Sequence, residues 1–134
     1  MAEAAALLIF SRSLIARVAF HRWSKRLGTR AGLAPPHSRP VTESQALRSR
    51  RVARAVLQAA DRLPGEWLCL PRAMATCWML RRRKIPCSLI IGVTESGDRG
   101  GLDDLHAWIE CGNQILVGEG EQMHAPILVL RGCR

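Results

Sequence analysis

The pattern of apolar and polar residues predicts helices in the first half of the chain. Apolar residues at near-helical spacing, with basic residues between them, indicate an amphipathic first helix whose apolar positions are Leu7, Leu8, Leu14, Ile15 and Val18. A second helix is expected from Thr42 or Glu43 to Ala60, with Thr42 as its N-cap. Its buried stripe is expected to comprise Ala46, Leu47, Val52, Ala53, Val56 and Leu57.

A third helix is expected in the middle of the chain. Proline fits only the first turn of a helix, so Pro71 marks the start, and Arg72 to Lys84 then runs without Gly or Pro. The segment closes on four basic residues, which suit the negative end of a helix dipole, and Pro86 ends it.

Strands are predicted after this helix. The apolar run Ser88 to Val93 is typical of a short buried strand, and residues 94–104, rich in glycine and aspartate, are expected to form a loop. Leu105 to Cys111 alternates between polar and apolar residues, as a strand with two different faces does. One of those faces is expected to carry His106, Trp108 and Glu110.

A hairpin is expected to follow, with Gly112-Asn113 as a two-residue turn into the strand Gln114 to Glu119. Such a turn pairs Cys111 with Gln114, Trp108 with Val117, and His106 with Glu119. The Cβ atoms of directly opposed residues are roughly 4.5–5.5 Å apart. We therefore expect the Glu119 carboxylate to face the His106 imidazole.

These elements place a thiol at a helix start and an imidazole on a strand, which is the layout of a cysteine hydrolase. A thiol attacks as its thiolate, and a helix N-terminus and a nearby imidazole both favour that form. Cys69 is therefore the candidate nucleophile, His106 the base and Glu119 the residue that orients the base. The fallback candidates for the third role are Glu121 and Glu66. Taken alone, such a cysteine or histidine is more often an ordinary core residue.

Length and cysteine content bound the class of protein. The 134 residues suit a single domain. The five cysteines are odd in number and form no CxxC pair, which argues against a disulfide framework and favours the reducing cytoplasm. The N-terminus lacks the basic segment of a signal peptide, and Arg12 and Arg17 interrupt its apolar residues, so no membrane insertion is expected.

The positive charge is concentrated in the first half of the chain. Residues 1–62 hold 12 Lys and Arg against 3 Asp and Glu, whereas residues 63–134 hold 8 of each. Nucleic-acid binding is not expected, because the chain has no Tyr, two Phe and no interleaving of aromatic and basic residues. A solvated face, or a docking surface for an acidic peptide or partner protein, explains the charge better, and attachment to a membrane surface is a third option.

The segment from about Val52 to Leu130 resembles the B2 proteins of lasso-peptide biosynthesis, a branch of the transglutaminase-like, papain-related cysteine peptidases. The residues that carry this resemblance are Leu63-Pro64, Trp67 to Ala73, Leu80 to Arg82, Ile85-Pro86, Ile91 to Val93 and His106 to Glu110. The resemblance implies that Cys69 is the nucleophile and His106 the base. The family usually carries Asp as the third residue, but no Asp follows Asp104 in this chain, and Glu119 lies near that place.

The resemblance implies an α+β fold, with the nucleophile helix packed on a small antiparallel sheet. Residues 1–50 are expected to form a basic helical extension with a Pro- and Gly-rich linker at about 28–40, and residues 51–134 the peptidase core. The implied activity is removal of the leader from a lasso precursor peptide, with no metal or organic cofactor. The implied partners are a separate leader-recognition protein and an asparagine-synthetase-like cyclase. An acyltransferase on the same fold and a non-catalytic basic adaptor are the alternatives.

Overall fold

The computed structural model describes residues 2–19, 22, 29–30, 39–94, 105–118 and 124–131. Its helices are α1 (Ala2–Arg17), α2 (Glu43–Arg62) and α3 (Cys69–Arg82). Its strands are β1 (Thr29–Arg30), β2 (Ser88–Thr94), β3 (Leu105–Cys111), β4 (Gln114–Val117) and β5 (His124–Arg131). The described helices together with the antiparallel sheet confirm the predicted α+β class. The loop predicted at residues 94–104 lies outside the described residues from residue 95 onward.

The sheet has the strand order β1-β5-β2-β3-β4, and every neighbouring pair is antiparallel. The sequence pattern did not indicate β5, which lies inside the sheet between β1 and β2. A proline inside the strand hides it, because proline cannot donate to a sheet ladder and occurs mainly at edges and bulges. The β2–β5 register shifts between Ile91 and Gly92, and Pro126 pairs with Gly92 at this bulge.

The first two helices form where the apolar pattern predicts them. Thr42 caps α2 by accepting a hydrogen bond from the Gln45 backbone, and the Gln45 side chain accepts one from the Thr42 backbone in return. One predicted core position is wrong: Leu47 is 51% exposed, because the buried face of α2 turns toward Ser49, Val52 and Val56. Among the described helices, none is long and apolar enough to cross a membrane.

The third helix begins as predicted, with Pro71 in its first turn, but it ends at Arg82 and does not continue to Lys84. Lys84 has a left-handed backbone with φ +55°. Its N–H donates to the Arg81 carbonyl at 2.9 Å, and the Ile85 N–H donates to the Leu80 carbonyl at 3.0 Å. This is the Schellman arrangement, in which glycine usually occupies the left-handed position.

Lys84→Gly is expected to stabilise the protein by about 0.5–1 kcal/mol, because glycine adopts positive φ without the steric cost that a side chain carries. For a chain of this size, that gain raises Tm by about 2–4 °C in a thermal melt. Lys84→Ala is the matched control, since it removes the same charge but keeps the strained backbone. Equal melting temperatures for the two variants would show that the left-handed backbone carries no such cost.

The main core joins the helices to one face of the sheet. Its largest fully buried side chains are Leu8, Val56, Met74, Leu80, Ile85, Leu89, Ile109 and Leu130. On the other face of the sheet a separate small cluster forms from Ile90, Trp108 and Val129. The two clusters show that β3 is buried on both faces, with the helices packed on the side of Ile109.

An ion-pair cluster fixes the start of α1 to the end of α3. Glu3 accepts two hydrogen bonds from Arg83, at 2.7 and 3.3 Å, and its carboxylate lies 3.1 Å from an Arg82 nitrogen. The Arg83 hydrogen bond holds the pKa of Glu3 below its ordinary value. Because the pKa of Glu3 is lower in the folded state than in the unfolded state, the ion pair stabilises the protein at pH values above the ordinary carboxylate range. That stabilisation is lost as the pH falls through the lowered pKa of Glu3.

Candidate active site

Cys69 is the first residue of α3 and is partly buried against the main core. Leu68 forms the N-cap with an extended backbone and makes no side-chain cap. The backbone N–H groups of the first turn therefore point out of the helix end that carries the thiol. The Leu68 side chain does not cap them. By contrast, Cys77, Cys87 and Cys111 are buried thiols in the core.

His106 lies on β3, and its ring is half buried. It shares a face with Trp108, as the alternation predicts, and the two ring centroids are 6.1 Å apart with the planes at 27°. Trp108 donates its indole N–H to the Glu110 carboxylate at 3.1 Å. The imidazole is therefore held from one side by a buried aromatic ring that is itself hydrogen-bonded.

The second contact that holds the imidazole is a backbone carbonyl. His106 Nε2 forms a hydrogen bond with the carbonyl oxygen of Gly118, the residue directly after β4. A carbonyl only accepts, so Nε2 carries the proton in this bond. Within the described ladder β4 pairs only with Ile109 to Cys111 of β3, which leaves the part of β3 around His106 at the open edge beside Gly118. Sequence reasoning did not single out Gly118.

Gly118 must be glycine at this position. Its φ is +88°, in the left-handed region. A Cβ atom there would lie 2.9 Å from both Cα and Cβ of Trp108, and it would also contact the Ala107 carbonyl. The signal available in the sequence was a glycine at the end of a strand, which often marks a close approach of two backbones.

The predicted hairpin turn is confirmed, but the predicted register is only partly right. Cys111 pairs with Gln114 across the turn, and Gly112 takes φ +60°. A bulge then shifts the pairing, so that Val117 lies opposite Ile109 and not opposite Trp108. Between Glu110 and Ile109 of β3 the partner changes from Ile115 to Val117, so Leu116 is the extra residue of the bulge, and it packs against the main core.

Of the three acidic residues predicted as candidates to orient His106, the structure describes one. Glu119 and Glu121 lie outside the described residues. Glu66 is described, and it is an exposed residue three positions before Cys69. Among the contacts that the structure shows, His106 Nε2 meets the Gly118 carbonyl. The same parts contain no group of three His, Cys, Asp or Glu side chains arranged to hold a metal ion.

Two buried hydrogen-bond donors flank Cys69 in the chain. Trp67 Nε1 and Arg72 Nε are buried and have no partner among the residues that the structure describes. The Trp67 ring is covered by the Arg12 guanidinium, 5.2 Å from the ring centroid. Burying an unmatched donor costs about 1–3 kcal/mol, so most buried donors in folded proteins have a partner.

The helix that carries Cys69 and the strand that carries His106 are in direct contact, because α3 packs on β3 through the main core. Cys69 and Ala107 both contribute to this packing, whereas His106, the neighbour of Ala107, shares the Trp108 face of β3. The structure thus brings together the two elements that carry the thiol and the imidazole. A thiol and an imidazole are the groups that acyl transfer through a thioester uses.

A comparison with protein families agrees with this chemistry. The chain matches the transglutaminase-like superfamily domain over residues 14–131, and it belongs to that superfamily. The superfamily includes cysteine peptidases and acyltransferases and is typically enzymatic. Neither a search of curated proteins nor a search of solved structures finds a match.

Proposed function

We propose that this protein is a papain-like cysteine peptidase that removes the leader from a ribosomally synthesised lasso precursor peptide. The observation that carries the proposal is the pairing of two features: a thiol on the first residue of α3, and an imidazole on the neighbouring strand whose Nε2 is held by a carbonyl. The motif resemblance from Trp67 to Ala73 and from His106 to Glu110 supplies the substrate class.

In the first step, the Cys69 thiol transfers its proton to His106. Nε2 already carries a proton toward Gly118, so Nδ1 is the ring nitrogen that accepts the second one. The thiolate then attacks the scissile carbonyl, and backbone N–H groups at the start of α3, including that of Cys69, stabilise the oxyanion. The Gly118 carbonyl stabilises the imidazolium by accepting its Nε2 proton in a hydrogen bond.

In the second step, His106 returns the proton to the departing amine of the core peptide, and the leader remains as a thioester on Cys69. A water molecule then gives a proton to Nδ1 and attacks the thioester. The thiolate leaves and recovers a proton from the imidazolium, and the leader is released with a free carboxylate. The reaction requires no metal or organic cofactor.

The surface beside Cys69 suits a polypeptide substrate. Leu68, the residue before Cys69, is 68% exposed, so an apolar side chain of the substrate can pack on it. Trp67 Nε1 and Arg72 Nε, the unmatched donors on either side of Cys69 in the chain, are fully buried and therefore do not face a bound peptide.

The remaining assignments follow from the family resemblance. The proposed setting is the reducing cytoplasm, where the Cys69 thiol persists. The proposed partners are a separate leader-recognition protein and an asparagine-synthetase-like cyclase that closes the macrolactam on the freed amine. Residues 1–50 are proposed as an extension of the core formed by residues 51–134. Glu119 remains the proposed acid near His106, next in the chain to the carbonyl of Gly118.

The product identifies the reaction. Incubation of a lasso precursor with this chain and the recognition protein is expected to give the free leader acid and the free core amine, measured by intact mass spectrometry. Omitting the recognition protein is expected to slow cleavage, because the partner raises the local concentration of the leader. With hydroxylamine present, an acyltransferase would form the leader hydroxamate in place of the acid. Hydroxamate as the main product at millimolar hydroxylamine would overturn the peptidase assignment, and no product of either kind would favour the adaptor.

A further inference from the structure

An open groove of about 680 Å³ lies between α2 and β4, and the proposed chemistry does not use it. One wall is a single face of α2, and the other wall is the hairpin and β4. The helix wall consists of Arg50, Ala53, Arg54, Leu57, Gln58 and Asp61. From residue 50 to residue 61 there are 11 helical steps, or about 16 Å of helix, which is the length of about five extended residues.

The groove is basic at one end, has apolar side chains in its walls, and carries Asp61 at its other end. Arg50 and Arg54 are exposed, and Arg50 donates to the Gln114 side chain at 3.1 Å across the groove. Ile115, on the strand wall, is 46% exposed. Helix α2 as a whole carries five Arg against one Glu and one Asp. The groove therefore offers two cations beside exposed apolar surface.

The spacing of the two cations matches an extended peptide. Arg50 and Arg54 are four residues apart on a helix, which puts their Cβ atoms about 6 Å apart. In an extended chain, side chains two residues apart lie on the same face and are separated by about 6.6–6.8 Å. Two carboxylates at alternate positions of an extended segment can thus meet both guanidinium groups at once.

The strand wall provides backbone groups for such a segment. β4 is an edge strand of the described sheet and pairs there with β3 alone. Along its second side, alternate residues of an edge strand direct N–H and C=O groups away from the sheet, and an added peptide can pair with them. The chain of β4 leads from the groove directly to Gly118, which holds His106.

We propose that the groove between α2 and β4 binds an extended acidic segment of the polypeptide substrate. Its alternate carboxylates pair with Arg50 and Arg54, and its apolar side chains cover Leu57 and Ile115. The binding itself stands apart from catalysis, and only the identification of the segment as part of the leader rests on the proposed function. Because β4 continues toward His106, a segment held here is guided toward the thiol.

The test uses a fluorescein-labelled hexapeptide of alternating glutamate and valine, with fluorescence anisotropy on the full chain carrying Cys69→Ala. We expect saturable binding that the double variant Arg50→Glu/Arg54→Glu weakens by about tenfold or more. The matched control is Arg48→Glu/Arg51→Glu, which makes the same charge change at exposed positions of α2 outside the groove. The affinity of the control variant for the probe is expected to fall by less than about threefold. Its substitutions change only the long-range electrostatic attraction, which salt screens.

Further arms of the experiment separate the specific contact from general charge attraction and from self-association. A hexapeptide of alternating lysine and valine is expected not to bind. Methylation of alternate backbone nitrogens of the acidic probe is expected to weaken binding if the segment pairs with β4.

Equal losses of affinity in the two double variants would show non-specific attraction and overturn the proposal. A dimer in light scattering that Ile115→Arg dissociates would assign the groove to a second copy of the chain and also overturn it. Failure of leader cleavage with intact probe binding would reject the proposed function alone.

Discussion

Cys69→Ala is expected to abolish cleavage of the precursor and leave the fold intact. Removing a covalent nucleophile deletes the reaction path, and comparable deletions in other enzymes lower kcat by several orders of magnitude. The fold is expected to survive because Cys69 is only partly buried, at the edge of the core, and alanine suits the first turn of α3. The measurement is conversion of precursor by mass spectrometry with the recognition protein present, together with a thermal melt.

The other thiols serve as controls for this prediction. Cys77→Ala and Cys87→Ala remove buried sulfur atoms that lie 4.0 Å apart in the core, so they are expected to lower stability and keep activity below the melting temperature. Cys133→Ala is also expected to keep activity. Iodoacetamide is expected to inactivate the protein by alkylating Cys69, because the other described cysteines are buried. Normal cleavage by Cys69→Ala would reject the peptidase mechanism.

The second large effect is expected from the groups that hold the imidazole. His106→Ala is expected to nearly eliminate cleavage, because it removes the base. Gly118→Ala is expected to lower kcat/KM by about 10²-fold, since a Cβ at this left-handed position displaces the carbonyl that His106 contacts, and a shift of about 1 Å can cost that much. The same variant is expected to slow alkylation of Cys69, because a displaced imidazole no longer favours the thiolate.

Gly112→Ala separates positioning from stability. Gly112 also has positive φ, and a Cβ there would lie 2.8 Å from the Val41 side chain, but it sits in the hairpin turn and makes no contact with His106 that the structure shows. Both glycine variants are expected to lose stability, and only Gly118→Ala is expected to lose activity per folded molecule. Equal activity losses would refute the positioning role.

Glu119→Gln tests the acid that sequence reasoning favours for the same role. It is expected to reduce the single-turnover rate if the carboxylate supports the imidazole in addition to the carbonyl. Glu66→Gln and Glu121→Gln complete the comparison. A sharp loss in Glu119→Gln with a normal Gly118→Ala would move the orienting role from the backbone to the carboxylate.

The elements that the sequence determined are those that local chemistry controls. The capping box at Thr42 and the proline in the first turn of α3 set helix starts through hydrogen bonds and ring geometry within four residues. The alternation from His106 to Cys111 predicts which side chains share a face, because the strand period is fixed at two. The candidate thiol and imidazole were found in the same way, from residue type and predicted element.

Tertiary structure decided whatever depends on partners distant in the chain. The bulge in β4 inserts Leu116, which packs against the main core, and no rule within the hairpin predicts a contact with residues so distant in the chain. β5 is a strand because β1 and β2 offer hydrogen-bond partners on its two sides, despite Pro126. The contact of His106 with the Gly118 carbonyl follows from that bulge and from the close approach of two backbones. Sequence thus indicated the candidate reactive groups, and long-range packing decided that the Gly118 carbonyl contacts the imidazole.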